Sequence, residues 1–227
     1  MFKDKGLIIG ILVTTVLIIG GVFYFTKDGS TASSSSTPIS NNILVPSNQY
    51  ITSGFANEKY LPASESAKVT LVEFGDYECP ACGVYHPFIK QLLTEFSGKV
   101  NFVFRNFPLT QHANAQISSQ AVEAAALQNK YWEMHDKVYE TQASWSSSTN
   151  AKDVFVGYAS ELGMDINKYK TDIDSDAVKN KIKGDVTDGG LVNLNATPTY
   201  YVNGVKIETI PNNYSSFKSI IEAELSK

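Results

Sequence analysis

The sequence predicts an α/β domain whose small sheet is split in the chain by an inserted helical block, all of it behind a single apolar N-terminal helix. Three observations predict this. Residues 69–104 read as strand, helix, strand; a long helical texture follows; a hairpin and a helix close the chain. A length of 227 residues accommodates one domain of ordinary size with an insertion, not two large domains. Apolar residues at 43% against 19% charged give most of the chain enough material for a buried core.

Leu7 to Phe25, LIIGILVTTVLIIGGVFYF, is a run of 19 residues without a charge. At the helical rise it spans about 28 Å, close to the hydrocarbon thickness of a bilayer. Lys3 and Lys5 precede it, whereas Lys27 and Asp28 behind it cancel. The positive-inside rule then leaves the N-terminus in the cytoplasm and everything after Phe25 outside. A cleaved signal peptide is the competing reading, with Ser30 and Ala32 as a small-residue site. Its apolar region is usually about 7–15 residues, so the length favours a retained anchor. Residues 28–40, DGSTASSSSTPIS, have the texture of a flexible tether. The expected organisation is an anchor at 1–27, a Ser-rich linker at 28–66 and a folded domain at 67–227. Ile43, Leu44, Val45 and the stretch Tyr50 to Phe55 are candidates to dock on that domain as an extra strand.

Val69 to Phe74 is a β-branched, apolar strand. Pro80 to Phe96 reads as a helix on Val84, Phe88, Leu92 and Phe96, with Pro87 expected to kink it. Val100 to Phe104 is the second strand, and the connection makes the two strands parallel. Helical texture then runs over Ala115 to Gln142, Lys152 to Leu162 and Asn167 to Gly184, with a polar loop at Ser144 to Asn150. This places the insertion at about 113–188. Thr199 to Val202, an Asn203-Gly204 turn and Val205 to Ile207 form a hairpin. Tyr214 to Leu225 is the last helix.

Charge excludes one class of function. Lys3, Asp4, Lys5 and Lys27 give the first 27 residues +2, and the remaining 200 carry 16 basic against 22 acidic side chains. A nucleic-acid binder would show a basic stripe, and none is visible. Two cysteines cannot staple a disulfide scaffold, and with three histidines they leave little for a multi-ligand metal cage.

The two cysteines lie together as Cys79-Pro80-Ala81-Cys82, after a buried strand and at the start of a helix. The spacing allows a disulfide within one turn. Pro80 is tolerated at the first helical position. The helix N-terminus stabilises a thiolate, so Cys79 should be more acidic than a free thiol of about 8.5. Cys82, one turn in, should be more buried and less acidic. The asymmetry suits an exchanging sulfur and a resolving one. A purely structural disulfide would close too small a loop to add much stability. A metal site on Cys79, Cys82 and His86 lacks the fourth ligand that structural zinc wants, and copper delivery lacks a nearby methionine.

Several motifs in order carry a family resemblance. VEFGDYECPAC at Val72 to Cys82, FRNFPL at Phe104 to Leu109, QNKYWEMHD at Gln128 to Asp136, and Thr197-Pro198-Thr199 before the hairpin resemble the bacterial DsbA-like thiol–disulfide oxidoreductases. The likeness covers about residues 67–225 and implies a thioredoxin fold with an inserted helical subdomain. It implies Cys79 and Cys82 as the catalytic, redox-active pair, with no cofactor and no metal. It implies a cis Pro198 facing that pair, so that the Thr197 backbone can bind an extended substrate. It also implies that Glu73, six residues before Cys79, lies beneath the disulfide and assists proton transfer; the residue pattern alone equally allows a strand-end glutamate in water. Ala81 departs from the strongest oxidants of the family, which carry histidine before the second cysteine, so a weaker but still oxidising potential is expected. His86 reads as a surface helix residue, His112 and His135 as packing or capping, and Trp132, Tyr131 and Met134 as core of the helical block.

The expected function is insertion of disulfides into unfolded exported proteins by a monomeric, single-pass, membrane-anchored enzyme with its catalytic domain outside the cytoplasmic membrane. By the resemblance, its reoxidant is a quinone-linked membrane protein of the DsbB or vitamin-K-epoxide-reductase type. A reductase or isomerase would use the same residues in the other direction. A chaperone or binding module of the same fold would use none of their chemistry.

Overall fold

The computed structural model describes residues 39–45, 51–52 and 67–227. The apolar run Leu7 to Phe25 lies outside them. Among the described residues no helix is long and apolar enough to cross a membrane.

Among the described residues five strands form one sheet: β1 (Ile51–Thr52), β2 (Val69–Gly75), β3 (Val100–Asn106), β4 (Thr199–Val202) and β5 (Val205–Lys206), in the order β1-β3-β2-β4-β5. β2 and β3 are parallel and joined by helix α2 (Pro80–Glu95); β4 lies antiparallel on the other side of β2. Both central strands are buried on both faces, which is why they read as unbroken apolar runs. Asn203 and Gly204 both take positive φ, 49° and 83°, as a two-residue hairpin turn of this hand requires. Asn203 also accepts from Thr70 N–H through its side chain at 2.9 Å, tying the turn to β2.

Between β3 and β4 come the inserted helices α3 (Ala115–Ala126), α4 (Tyr131–Glu140), α5 (Gln142–Trp145), α6 (Ala151–Glu161), α7 (Ile166–Asp172) and α8 (Asp176–Leu191); α9 (Tyr214–Leu225) closes the chain. The expected helix 115–142 is three pieces. It breaks after Ala126, where Asn129 adopts a left-handed φ of 60° that suits asparagine better than most residues. The expected helix 167–184 also divides: Ser175 caps α8 by accepting from Val178 N–H. Tyr131, Trp132 and Met134 are buried in the main core, as read from the sequence.

The buried face of α2 differs from the predicted stripe. Val84 is 63% exposed, and the covered residues are Cys82, His86, Ile89, Leu92 and Leu93. A strict spacing of four advances about 40° per step on a 3.6-residue helix, so such a stripe spirals off the core. Only its last members, Leu92 and Phe96, reach the interior.

The sheet separates two cores. Leu71, Phe102, Phe104, Tyr200 and Val202 face the main one with α2, α9 and the inserted helices. Val72, Phe74, Val103 and Tyr201 face a smaller one, which Leu44 fills from a short helical turn α1 (Asn41–Leu44). Within the predicted linker 28–66, residues 39–45 and 51–52 are therefore held on the domain: β1 pairs with β3, and Ile39 N–H donates to Gly204 O at 2.9 Å. Arg105, fully buried on the smaller core's side, secures this strap. Its guanidinium donates to the carbonyls of Ile43 and Leu44, to Asp185 at 2.7 Å and to Asp188 at 2.6 Å, and lies 5.2 Å over the Phe74 ring.

Candidate active site

Strand β2 ends at Gly75, and the loop that follows delivers Cys79 to the N-terminus of α2. Cys79 is the cap residue in extended conformation, with Pro80 in the first turn where no N–H is needed. Its own N–H donates to Asp76 O at 3.1 Å, and its carbonyl accepts from Gly83 N–H at 3.2 Å. The loop is held from the helical block as well. Gln142 Nε2 donates to Tyr77 O at 2.7 Å and to Cys79 O at 2.9 Å. A Cβ on Gly83 would meet the Gln142 amide oxygen at 2.7 Å, so glycine there lets the amide approach. The Tyr77 ring enters the core against Phe104 and Tyr139, and its hydroxyl lies 2.8 Å from His135 Nδ1.

The two cysteines are present as thiols, and their environments differ as the helix-start argument expects. The Cys79 thiol is pulled down to about 5. The largest cause is the hydrogen bond from the Cys82 thiol, opposed by burial; the Thr197 hydroxyl and the N–H groups of Cys82 and Ala81 add to the pull. Cys82 is fully buried. Burial, the bond it gives to Cys79 and the neighbouring Glu73 push it well above an ordinary thiol. One sulfur is thus a good leaving group and the other holds its proton tightly.

The other predicted site residues converge here. The Thr197–Pro198 peptide is cis, and Cys79 Sγ–H donates to Thr197 O at 3.4 Å. Thr197 Oγ1 is buried with no other hydrogen-bond partner, which leaves it free to donate to a Cys79 thiolate. Glu73 faces the main core. It sits opposite Phe104 and Tyr200 in the register, and only 3% of it is exposed. A Cβ on Gly75 would lie 3.0 Å from Glu73 Oε1, so the carboxyl lies along the sheet beside Gly75. Burial raises its pKa to about 8, the Tyr200 hydroxyl opposes this, and the charge of Cys79 adds to it. At neutral pH Glu73 therefore carries a proton it can give up.

Three features of the site escape a reading of the motif. Gln142 comes from 63 residues beyond Cys79. Asp76, fully buried, joins the loop before Cys79 to residues 109–112. His86, read from the sequence as a surface residue, is buried: its ring stacks on Tyr139 at 4.9 Å, and burial together with Lys90 lowers its pKa to about 3. His86, His135 and Asp136 bring ligand-type atoms within 4.8 Å of one another. The cation at this place is the protein's own: Lys90 Nζ lies 2.9 Å from Asp136, which disfavours a metal ion there.

Comparison with known proteins agrees with this geometry. Residues 62–223 match the thioredoxin family. The fold resembles BdbD from Bacillus subtilis, with a TM-score of 0.65 and 25% identity over 84% of this chain and 97% of that one. It also resembles alpha-DsbA1 from Wolbachia pipientis, with a TM-score of 0.67 and 19% identity over 83% and 96%. Among curated proteins, the Na(+)/H(+) antiporter NhaA 1 of Salinispora arenicola is 37% identical over 139 residues, which are 61% of this chain and 20% of the antiporter. The chain thus matches about a fifth of the length of such relatives. With a CxxC pair of unequal acidity at a helix start and the carbonyl of Thr197, the residue before a cis-proline, beside it, the chain belongs to the thioredoxin family.

Proposed function

We propose that this oxidoreductase is a dithiol oxidase that works outside the cytoplasmic membrane and introduces disulfides into unfolded exported proteins. The observation that carries the reading is the acidity of Cys79, about 5, beside a Cys82 held well above the normal thiol range. Stabilising the reduced enzyme in this way makes its disulfide a strong electron acceptor.

The exchange runs in two displacements. A client thiolate attacks Cys79 Sγ of the Cys79–Cys82 disulfide; a mixed disulfide forms and Cys82 leaves. Buried Cys82 takes up a proton, which Glu73 supplies. A second client thiolate attacks the client's sulfur in the mixed disulfide and releases Cys79 as a thiolate. The client loses two electrons, and the enzyme is left as the dithiol. The Thr197 carbonyl and Pro198 border Cys79 and offer an extended client segment a backbone to pair with.

An anchor at Leu7 to Phe25 keeps the enzyme in one plane with a quinone-linked reoxidase of the DsbB or vitamin-K-epoxide-reductase type, which removes the two electrons. The chain acts as a monomer. The antiporters' transport activity is not carried over, since the match is confined to a fifth of their length.

The test is the redox equilibrium of the full-length chain, kept in mild detergent, against glutathione buffers with thiol trapping. A potential of about −180 mV or less negative is expected; a value near about −270 mV would point to the reductase direction instead. Cys79→Ser should abolish exchange altogether. Client proteins that still gained their disulfides at full rate with this variant would reduce the domain to a binding module.

A further inference from the structure

We propose that His112 is a positioning residue for the exchange: clamped by Asp76 against the Cys79 loop, its imidazolium favours the Cys79 thiolate and makes the oxidising strength of the enzyme respond to pH. This rests on the dithiol–disulfide exchange proposed above.

The geometry is a knot around one buried carboxylate. Asp76 Oδ1 accepts from Glu78 N–H at 2.8 Å; Oδ2 accepts from Leu109 N–H at 2.9 Å and lies 2.6 Å from His112 Nδ1. The Asp76 carbonyl takes the N–H of Cys79 itself. A second tie runs beside it, from Asn114 N–H to the Glu78 carboxylate at 2.5 Å. The histidine is thus fixed to the loop that ends in Cys79, with its side chain 19% exposed. The Cys79-Pro80-Ala81-Cys82 turn holds no cation of its own.

Charge around the ring favours protonation. The negative groups that act on it are Asp76, in direct contact, and at longer range Glu78 from the same loop after β2 and Cys79 from the start of α2. Burial opposes a charged ring and is the largest single influence, yet the bond to Asp76 and the three negative groups together raise His112 above the ordinary histidine value. The pull of Asp76 and Glu78 on the ring does not depend on the state of the cysteines. Cys79 carries charge only in the reduced form. Reduction of the disulfide therefore strengthens proton binding at His112, and by linkage a proton on His112 favours reduction. Below the pKa of His112 this bonus is fully present. It is lost as pH rises through that value.

The test uses the full-length chain in mild detergent and the equilibrium in which enzyme disulfide and two reduced glutathiones give enzyme dithiol and oxidised glutathione. Wild type, His112→Gln and His112→Arg are compared from pH 6 to pH 9. Gln keeps a hydrogen-bond donor for Asp76 without the charge; Arg keeps the charge at every pH. At pH 6 His112→Gln should shift the equilibrium about threefold toward the disulfide, the size expected of a partly exposed charge pair and equivalent to about 14 mV for two electrons. Its Cys79 thiolate absorbance should appear at a pH higher by about 0.5. At pH 9 Gln and wild type should converge. His112→Arg should keep the pH 6 equilibrium and lose the extra pH dependence. A Gln variant that matches wild type throughout, or differs equally at every pH, overturns the proposal. Wild type that fails to exchange with glutathione would overturn the underlying function, while the thiolate absorbance would still decide the part played by His112.

Discussion

Two buried ionisable side chains sit one register step apart on the central strands and behave in opposite ways. Glu73 on β2 faces the main core; Arg105 on β3, paired with Phe74, faces the smaller one. Arg105 is surrounded by two carboxylates and two carbonyls, so its charge is matched inside the fold. Glu73 is bordered by the Tyr200 hydroxyl and two sulfurs, and its carboxyl is driven up to about 8. Burial is the same for both. What separates a structural charge from a reactive one is whether the partners neutralise it.

The comparison can be broken from either side. Asp185→Ala leaves Arg105 buried beside an incomplete set of acceptors, and about 3–5 kcal/mol of stability should be lost in denaturant unfolding. The glutathione equilibrium of the folded variant should stay unchanged, because Arg105 does not touch the sulfurs. Glu73→Gln should act through pH. The folded enzyme binds the Glu73 proton more tightly than the unfolded chain does, so wild-type stability should fall as pH rises from 4.5 toward 8. The size is on the order of 5 kcal/mol at most, and the variant should lack this decline when unfolding is measured across that window. Gln142→Ala is the smallest change. Two loop carbonyls lose their donor, which should cost about 1–2 kcal/mol. Alkylation kinetics of Cys79 should then show a less acidic thiol, because the loop that aims it is loosened.

Much of this organisation was legible because it is written in local periodicity. The strands β2 and β3, the parallel crossover, the hairpin and α9 all follow from short apolar runs and turn residues. Leu71, Glu73 and Gly75 share one face by the two-residue repeat of a strand, so the burial of Glu73 follows once that face is known to be the core. The rest depends on tertiary contacts. The covered side of α2 is set by what packs on it, which the spacing of Val84 and Phe88 misread. The break at Asn129 rests on one left-handed residue inside an otherwise helical texture. Asp76, His112 and Gln142 are polar residues in or beside loops, 36 and 63–65 positions from their partners, and no period in the sequence relates them.

The hairpin also bears on what an unfolded client could attach to in the proposed exchange. Among the described residues the hairpin margin of the sheet is a strand of only two residues, Val205–Lys206, exposed and ending in a lysine. A short, charged margin denies an extended polypeptide a template for further strand addition on that side. A protein that handles sticky, partly folded chains at high local concentration would otherwise be drawn into their aggregates. In the proposed exchange the Thr197 carbonyl beside Cys79 is the backbone offered to a client, so capture and chemistry would occur at one place and release of the finished disulfide would free both.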